Sequence, residues 1–143
     1  MRRSIAFSVA LLTCALPAPA AAADAVWSPG LYRVEVKIGL PNVPAVAPPM
    51  QTTRCLTRTD LENGSAFGVL SDNSIKTCPV FDYELTGSTA TYQIVCPGPN
   101  AASAVAEFQA TRTGYRGVIK MQMGAKNMTM SETQIATRAG ECR

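Results

Sequence analysis

The sequence predicts a mainly β protein: an antiparallel up-and-down meander of about seven strands, a curled sheet or partial barrel, with one short helical turn and two disulfides. Three observations carry this. Residues 81–130 run in segments that alternate apolar and polar side chains. Gly87-Ser88 and Thr113-Gly114 punctuate those segments as tight turns do. Four cysteines, an even number, follow an N-terminal stretch with the layout of an export signal.

That stretch comes first in the chain. Arg2 and Arg3 precede the apolar run Ile5 to Leu16, and Pro17-Ala18-Pro19 leads into the small residues Ala20 to Ala23. The reading is a signal peptide over residues 1–23, cleaved after Ala23, then a single β domain over 24–143 in the periplasm or outside the cell. The run is too short for a stable membrane-spanning helix. The alternative is a lipoprotein acylated at Cys14; Leu11 suits it, but Thr13 stands where a small residue is expected. Without Arg2 and Arg3, 11 basic side chains face 10 acidic ones, a net charge of +1. The bases are scattered among acids with no arginine-rich, aromatic-laced run, which argues against a nucleic-acid partner.

Alternation is clearest over Leu31 to Ile38, where Tyr32, Val34, Val36 and Ile38 share one face and Arg33, Glu35 and Lys37 the other. Residues 39–49 hold Pro41, Pro44, Pro48 and Pro49, which excludes helix and central strand; this extended apolar loop is expected to pack on the sheet. Gln51 to Leu56 forms a short strand. Thr59 and Glu62 make a capping box for one helical turn that Asn63-Gly64 ends. Ser65 to Thr77 reads as polar and irregular, held by a disulfide.

Pairing about Gly87-Ser88 sets Leu85 against Ala90, Tyr83 against Tyr92 and Phe81 against Ile94. Pairing about Thr113-Gly114 sets Phe108 against Ile119, Ala106 against Met121 and Ala104 against Met123. A turn over Gly124 to Asn127 sets Met123 against Met128 and Met121 against Met130. Beyond it Glu132 and Gln134 point inward and Ile135 outward, so a β-bulge is expected near Ser131.

Cys55, Cys78, Cys96 and Cys142 allow three disulfide connectivities. The favoured pairing joins Cys55 to Cys78, across the loop-rich segment, and Cys96 to Cys142, tying the C-terminus to the sheet. A metal site would need close spacings such as Cys-x-x-Cys, which are absent.

Several stretches resemble one family. They are Pro29-Gly30-Leu31-Tyr32 with Val34-Glu35-Val36, the proline-rich loop, Thr53-Arg54-Cys55-Leu56-Thr57, and Cys78 with Asp82-Tyr83. Cys96, Tyr115-Arg116-Gly117, the Met-x-Met strand and Gly140-Glu141-Cys142 complete the set. Together they resemble a bacterial exported family known as domain of unknown function 3617. The resemblance implies a small periplasmic β protein with paired cysteines, and it brings no catalytic residues.

The chemistry on offer is narrow. The chain has no histidine, which removes the commonest general base, the usual triads and most zinc sites. Asp82 and Glu84 share a face at strand spacing but read as solvated surface positions. Asn63-Gly64-Ser65 and Asn127-Met128-Thr129 match the glycosylation triplet by chance for a bacterial-style export signal. The expectation is therefore no enzyme and no cofactor. What stands out is one apolar face with Met121, Met123, Met128, Met130, Phe108 and Ile119, a candidate surface for a small apolar ligand, lipid or protein partner. The alternative is that the four methionines hold a soft ion such as Cu(I); ordinary core packing is the reading favoured over it.

Overall fold

The computed structural model describes residues 26–44, 47–98, 101–124 and 128–143; the signal segment and residues 125–127 of the last predicted turn lie outside them. The strands are β1 (Gly30–Gly39), β2 (Met50–Leu56), β3 (Val80–Thr86), β4 (Thr89–Val95), β5 (Ser103–Thr111), β6 (Gly114–Met123) and β7 (Met128–Gly140). All seven form one open antiparallel sheet, in the order β2-β1-β7-β6-β5-β4-β3. The meander is as expected, with β1 closing beside β7 and the free edges left to β2 and β3. No described helix is long and apolar enough to cross a membrane.

Between β2 and β3 the chain crosses the inner face of the sheet as a strap. It holds the helix α1 (Arg58–Asn63) and two 3₁₀ turns, Ser65–Phe67 and Ser74–Thr77. Thr57 is the N-cap: its hydroxyl accepts from the Asp60 N–H at 3.1 Å, and the Asp60 carboxylate accepts from the Thr57 N–H at 2.8 Å. The capping box thus sits one half-turn before the expected Thr59 and Glu62, because Asp60 is short enough to reach back from N3. Gly64, at φ 78°, ends the helix as expected.

The strap corrects the reading of Ser65 to Thr77 as loosely held. Ala66, Phe67, Val69 and Ile75 are buried. The Phe67 ring lies 4.8 Å from Trp27, 5.1 Å from Phe108 and 6.0 Å from Tyr115, centroid to centroid. Such pairs add about 0.5–1.5 kcal/mol each beyond their buried area. Ala90, Ala104, Ala106 and Ala110 on the inner face are short, which leaves room for this second layer.

Registers differ from expectation at defined points. Thr111 pairs with Gly114, so Arg112-Thr113 is the loop, and Phe108 faces Gly117, Ala106 faces Ile119 and Ala104 faces Met121. The shift is by two residues, so every side chain keeps its face. A Cβ on Gly117 would lie 2.0 Å from Phe108 Cδ1; the glycine is the gap that the ring occupies. Leu85 pairs with Ala90 as expected, but a register shift between Phe81 and Glu84 sets Phe81 against Gln93 and Val80 against Ile94. Asp82, at φ 50°, lies inside that irregularity. No bulge occurs near Ser131: Lys120–Ser131, Ile119–Glu132 and Gly117–Gln134 pair without interruption, as do Met121–Met130 and Met123–Met128.

The disulfides join Cys55 to Cys142 and Cys78 to Cys96, correcting the favoured pairing. Topology explains both bonds. Leu31 pairs with Cys55 on one side and with Gly140 on the other, so the C-terminus passes close to β2. The register that pairs Val80 with Ile94 runs on to bring Cys78 opposite Cys96. One bond lies at each end of the strap. The proline-rich loop is also corrected: Pro41, Asn42, Val43, Pro44 and residues 47–49 are exposed rather than packed on the sheet.

Candidate functional site

The two faces of the sheet differ in what covers them. On the inner face Phe108, Ile119 and Met121 are buried beneath the strap, Met123 and Met130 pack partly buried against the same core, and Met128 is 44 % exposed. Five of the six predicted residues therefore share one core, Met128 standing outside it, and three of the five lie beneath the chain's own covering segment. Asn73 Nδ2 donates weakly to Met121 Sδ at 3.8 Å, tying that methionine to the strap. Among the described residues no group of three or more His, Cys, Asp or Glu converges as metal ligands do.

The inner face also carries two polar residues with no measurable exposure, Glu132 and Gln134. The Glu132 carboxylate accepts from the Leu70 N–H at 2.9 Å, the Ser71 N–H at 2.9 Å, the Gln134 amide at 2.6 Å and the Ser71 hydroxyl. Gln134 also donates to the Gly68 carbonyl at 3.1 Å. This cluster clasps the middle of the strap to β7, between the two disulfides. A buried carboxylate is tolerable because four donors replace its water. Among the described residues the Tyr115 hydroxyl, Trp27 Nε1 and Gln134 Oε1 are buried polar atoms without a protein partner.

Among the described residues nothing covers the outer face. A trough of about 910 Å³ crosses it from Asp82 and Glu84 on β3 to Thr133 and Ile135 on β7. Its floor is apolar: Val105 is 54 %, Val118 37 % and Ile135 47 % exposed. Asp82, Glu84 and Glu107 lie toward the β3 side, and Arg116 and Lys120 stand on β6. Asp82 accepts from Gln93 Nε2 at 3.3 Å and Arg116 donates to Gln109 Oε1 at 3.2 Å. A second, smaller depression of about 560 Å³ lies where Leu40 and Pro41, at the start of the proline-rich loop, meet the ends of β5, β6 and β7. This face is not among the predicted sites, although the alternation that puts Ala104, Ala106 and Ile119 inward also puts Val105 and Val118 outward.

Three of the stretches behind the family resemblance, Pro29–Tyr32, Thr53–Thr57 and Gly140–Cys142, gather at one corner. Gly30 and Leu31 pair with Leu56 and Cys55, Leu31 also pairs with Gly140, and Cys142 closes onto Cys55. Pro29 offers its carbonyl to Arg138 Nε and Nη2 at 3.2 and 3.1 Å, and Tyr32 donates to the Ser28 carbonyl at 2.6 Å. At Gly30, φ 149°, a Cβ would fall 2.6 Å from Arg138 Nε. These residues build the point where the strap leaves the sheet. The profile of the family described as protein of unknown function (DUF3617) matches residues 27–142. The chain belongs to DUF3617. No curated protein and no solved structure matches it. Within this DUF3617 member those three stretches are structural, whereas Asp82, Arg116 and Gly117, from two other stretches of the resemblance, line the outer trough.

Proposed function

We propose that this DUF3617 protein is an exported, non-catalytic binding module, and that its outer trough is the surface that takes a small apolar ligand, lipid or protein segment. The observation that carries the reading is the contrast between faces: the strap fills the inner one, while Val105, Val118 and Ile135 stay exposed on the outer one. Val105, Val118 and Ile135 line one concavity with polar side chains around it, the arrangement in which ligand sites are usually found. Export is supported by the N-terminal signal pattern and by two disulfides, which persist in oxidising compartments. The side chains around the trough are carboxylates, amides, an arginine and a lysine set around valine and isoleucine, so a ligand would meet an apolar floor with charged groups at its rim.

The test uses a neutral apolar fluorophore, N-phenyl-1-naphthylamine, with the purified disulfide-bonded protein. Saturable enhancement is expected in the wild type and its loss in Val118→Glu, whose position is solvent-facing and whose fold is expected to survive. Absence of saturable enhancement, or enhancement unchanged in Val118→Glu, would overturn the trough as the site. Intact mass of the exported protein checks compartment, with a chain starting at Asp24 expected and a lipid adduct on Cys14 refuting it.

A further inference from the structure

Three successive rows of outward-facing side chains on β5, β6 and β7 hold one apolar residue each, and the three lie on a diagonal. Val105 pairs with Lys120; Val118 stands two residues along β6 from Lys120 and pairs with Glu107 and Thr133; Ile135 stands two residues along β7 from Thr133 and pairs with Arg116. With strands about 4.8 Å apart and a rise of about 3.4 Å per residue, two such steps make a stripe roughly 17 Å long and one side chain wide. We propose that the ligand of this face is a single-chain carboxylate amphiphile of the fatty-acid class, its alkyl chain laid along the stripe and its head group held by Lys120. The proposal rests on the reading of the outer trough as a ligand surface and names the class of ligand.

Charge sets the direction of the ligand. Lys120 stands opposite Val105, at one end of the stripe, and lines both the trough and the second depression. Among the described residues it is the one charged side chain that lines that depression. Asp82, Glu84 and Glu107 all lie on the β3 to β5 side of the trough, and Glu107 stands opposite Val118 at the middle of the stripe. A carboxylate head meets like charge there and opposite charge at Lys120. A cationic head drawn to those acids would sit beside the stripe rather than at its end, so its chain would cover half of it at most. At the far end Arg116 stands opposite Ile135, but its guanidinium already donates to Gln109 Oε1 at 3.2 Å.

The second depression supplies the rest of the head-group site. Ser103, Thr129 and Ser131 line it with Lys120. Among the described residues no ion pair or hydrogen bond within the chain engages the Lys120 ammonium or these three hydroxyls, so all four are donors open to a ligand. Gly39 pairs with Ser131, and a Cβ on it would lie 2.6 Å from Ser131 Oγ; the glycine leaves that hydroxyl its room at the end of β1. An ionised acceptor takes hydrogen bonds roughly twice as strong as a neutral one, which favours a carboxylate over an alcohol of the same chain. Width decides the tail. Polar side chains flank Val105, Val118 and Ile135, so one alkyl chain covers the stripe and a second would lie on charged and hydroxyl groups.

Equilibrium dialysis of the purified disulfide-bonded protein against radiolabelled decanoate, decanol and decyltrimethylammonium, each below its micelle concentration, tests this. The wild type is expected to bind decanoate saturably and about tenfold more tightly than decanol, with the cation no tighter than the alcohol. Lys120→Gln is expected to erase the difference between decanoate and decanol, Arg116→Gln to retain it, and Val118→Glu to weaken both ligands. Decanoate bound no better than decanol, a preference that survives Lys120→Gln or is lost in Arg116→Gln, or tighter binding of the cation would each overturn the carboxylate at Lys120; decanol binding lost in Val118→Glu would then still uphold the trough. Decanoate binding that needs Lys120 but is unchanged in Val118→Glu overturns the trough as the seat of the chain. Binding of none of the three overturns both.

Discussion

Replacing Glu132 by glutamine isolates the clasp between strap and sheet, because shape is kept and one acceptor becomes a donor. The carboxylate receives four hydrogen bonds, from Leu70, Ser71 twice and Gln134. The least costly amide orientation puts its NH₂ toward Ser71, whose hydroxyl turns to accept while its N–H loses a partner. A buried donor without an acceptor costs about 1–3 kcal/mol. The bonds from Leu70 and Gln134 lose charge assistance, roughly 0.5–1.5 kcal/mol each, and the easier burial of a neutral group offsets part of the total. The expected loss is about 2–4 kcal/mol, a large share of the 5–15 kcal/mol typical of a domain. Urea unfolding at neutral pH with disulfides intact measures it, and native-state hydrogen exchange locates it, with the Leu70 and Ser71 amides exchanging faster than those of β5 and β6. A loss below about 1 kcal/mol, or Leu70 and Ser71 amides protected as in the wild type, would refute the account of how the strap is held.

Three further outcomes are expected. Met121, 2 % exposed, packs in the core, so Met121→Leu should cost less than about 1.5 kcal/mol and Met121→Ala about 2–5 kcal/mol, and Cu(I) should not raise the wild-type melting temperature; a rise lost in Met121→Leu would restore the copper reading. Peptide mapping should find Cys55–Cys142 and Cys78–Cys96 with no free thiol among them; loop-closure entropy makes removal of the first, spanning 87 residues, cost about 4.5 kcal/mol, and of the second, spanning 18, about 3 kcal/mol. Burial raises the Tyr92 hydroxyl pKa and pushes that of Tyr115 up to about 12, from an ordinary value near 10. Below pH 10 both phenols are neutral folded or unfolded and their contribution is intact; between pH 10 and 12 the unfolded chain ionises first, so stability should fall by about 1.4 kcal/mol per pH unit for each. Absorbance at 295 nm should show these two ionising only with unfolding, and titration of all four tyrosines in the native protein would contradict their burial.

Local rules determined much of this molecule. Alternation over Leu31 to Ile38 fixed which side chains of β1 are buried, because a strand's side chains alternate with period two whatever lies around it. Gly87-Ser88, Asn63-Gly64 and the Met-x-Met pairing followed from turn and cap chemistry spanning a few residues. The same rule survived a misplaced turn at Arg112-Thr113, since a two-residue slip preserves faces. Alternation also put Glu132 and Gln134 inward, and only the cost of burying a carboxylate argued for a bulge. The donors that offset this cost, on Leu70 and Ser71, lie 62 and 61 residues away, beyond the reach of any local pattern. Likewise Ala66, Phe67, Val69 and Ile75 follow neither a strand nor a helix period, so only the folded chain shows that they form a second layer. Disulfide pairing depended on the same long-range geometry, because β1 lying beside β7 brings Cys142 to Cys55. Sequence could orient each strand's two faces. Which face the chain would cover, and which it would leave open at Val105, Val118 and Ile135, was decided where the strap landed.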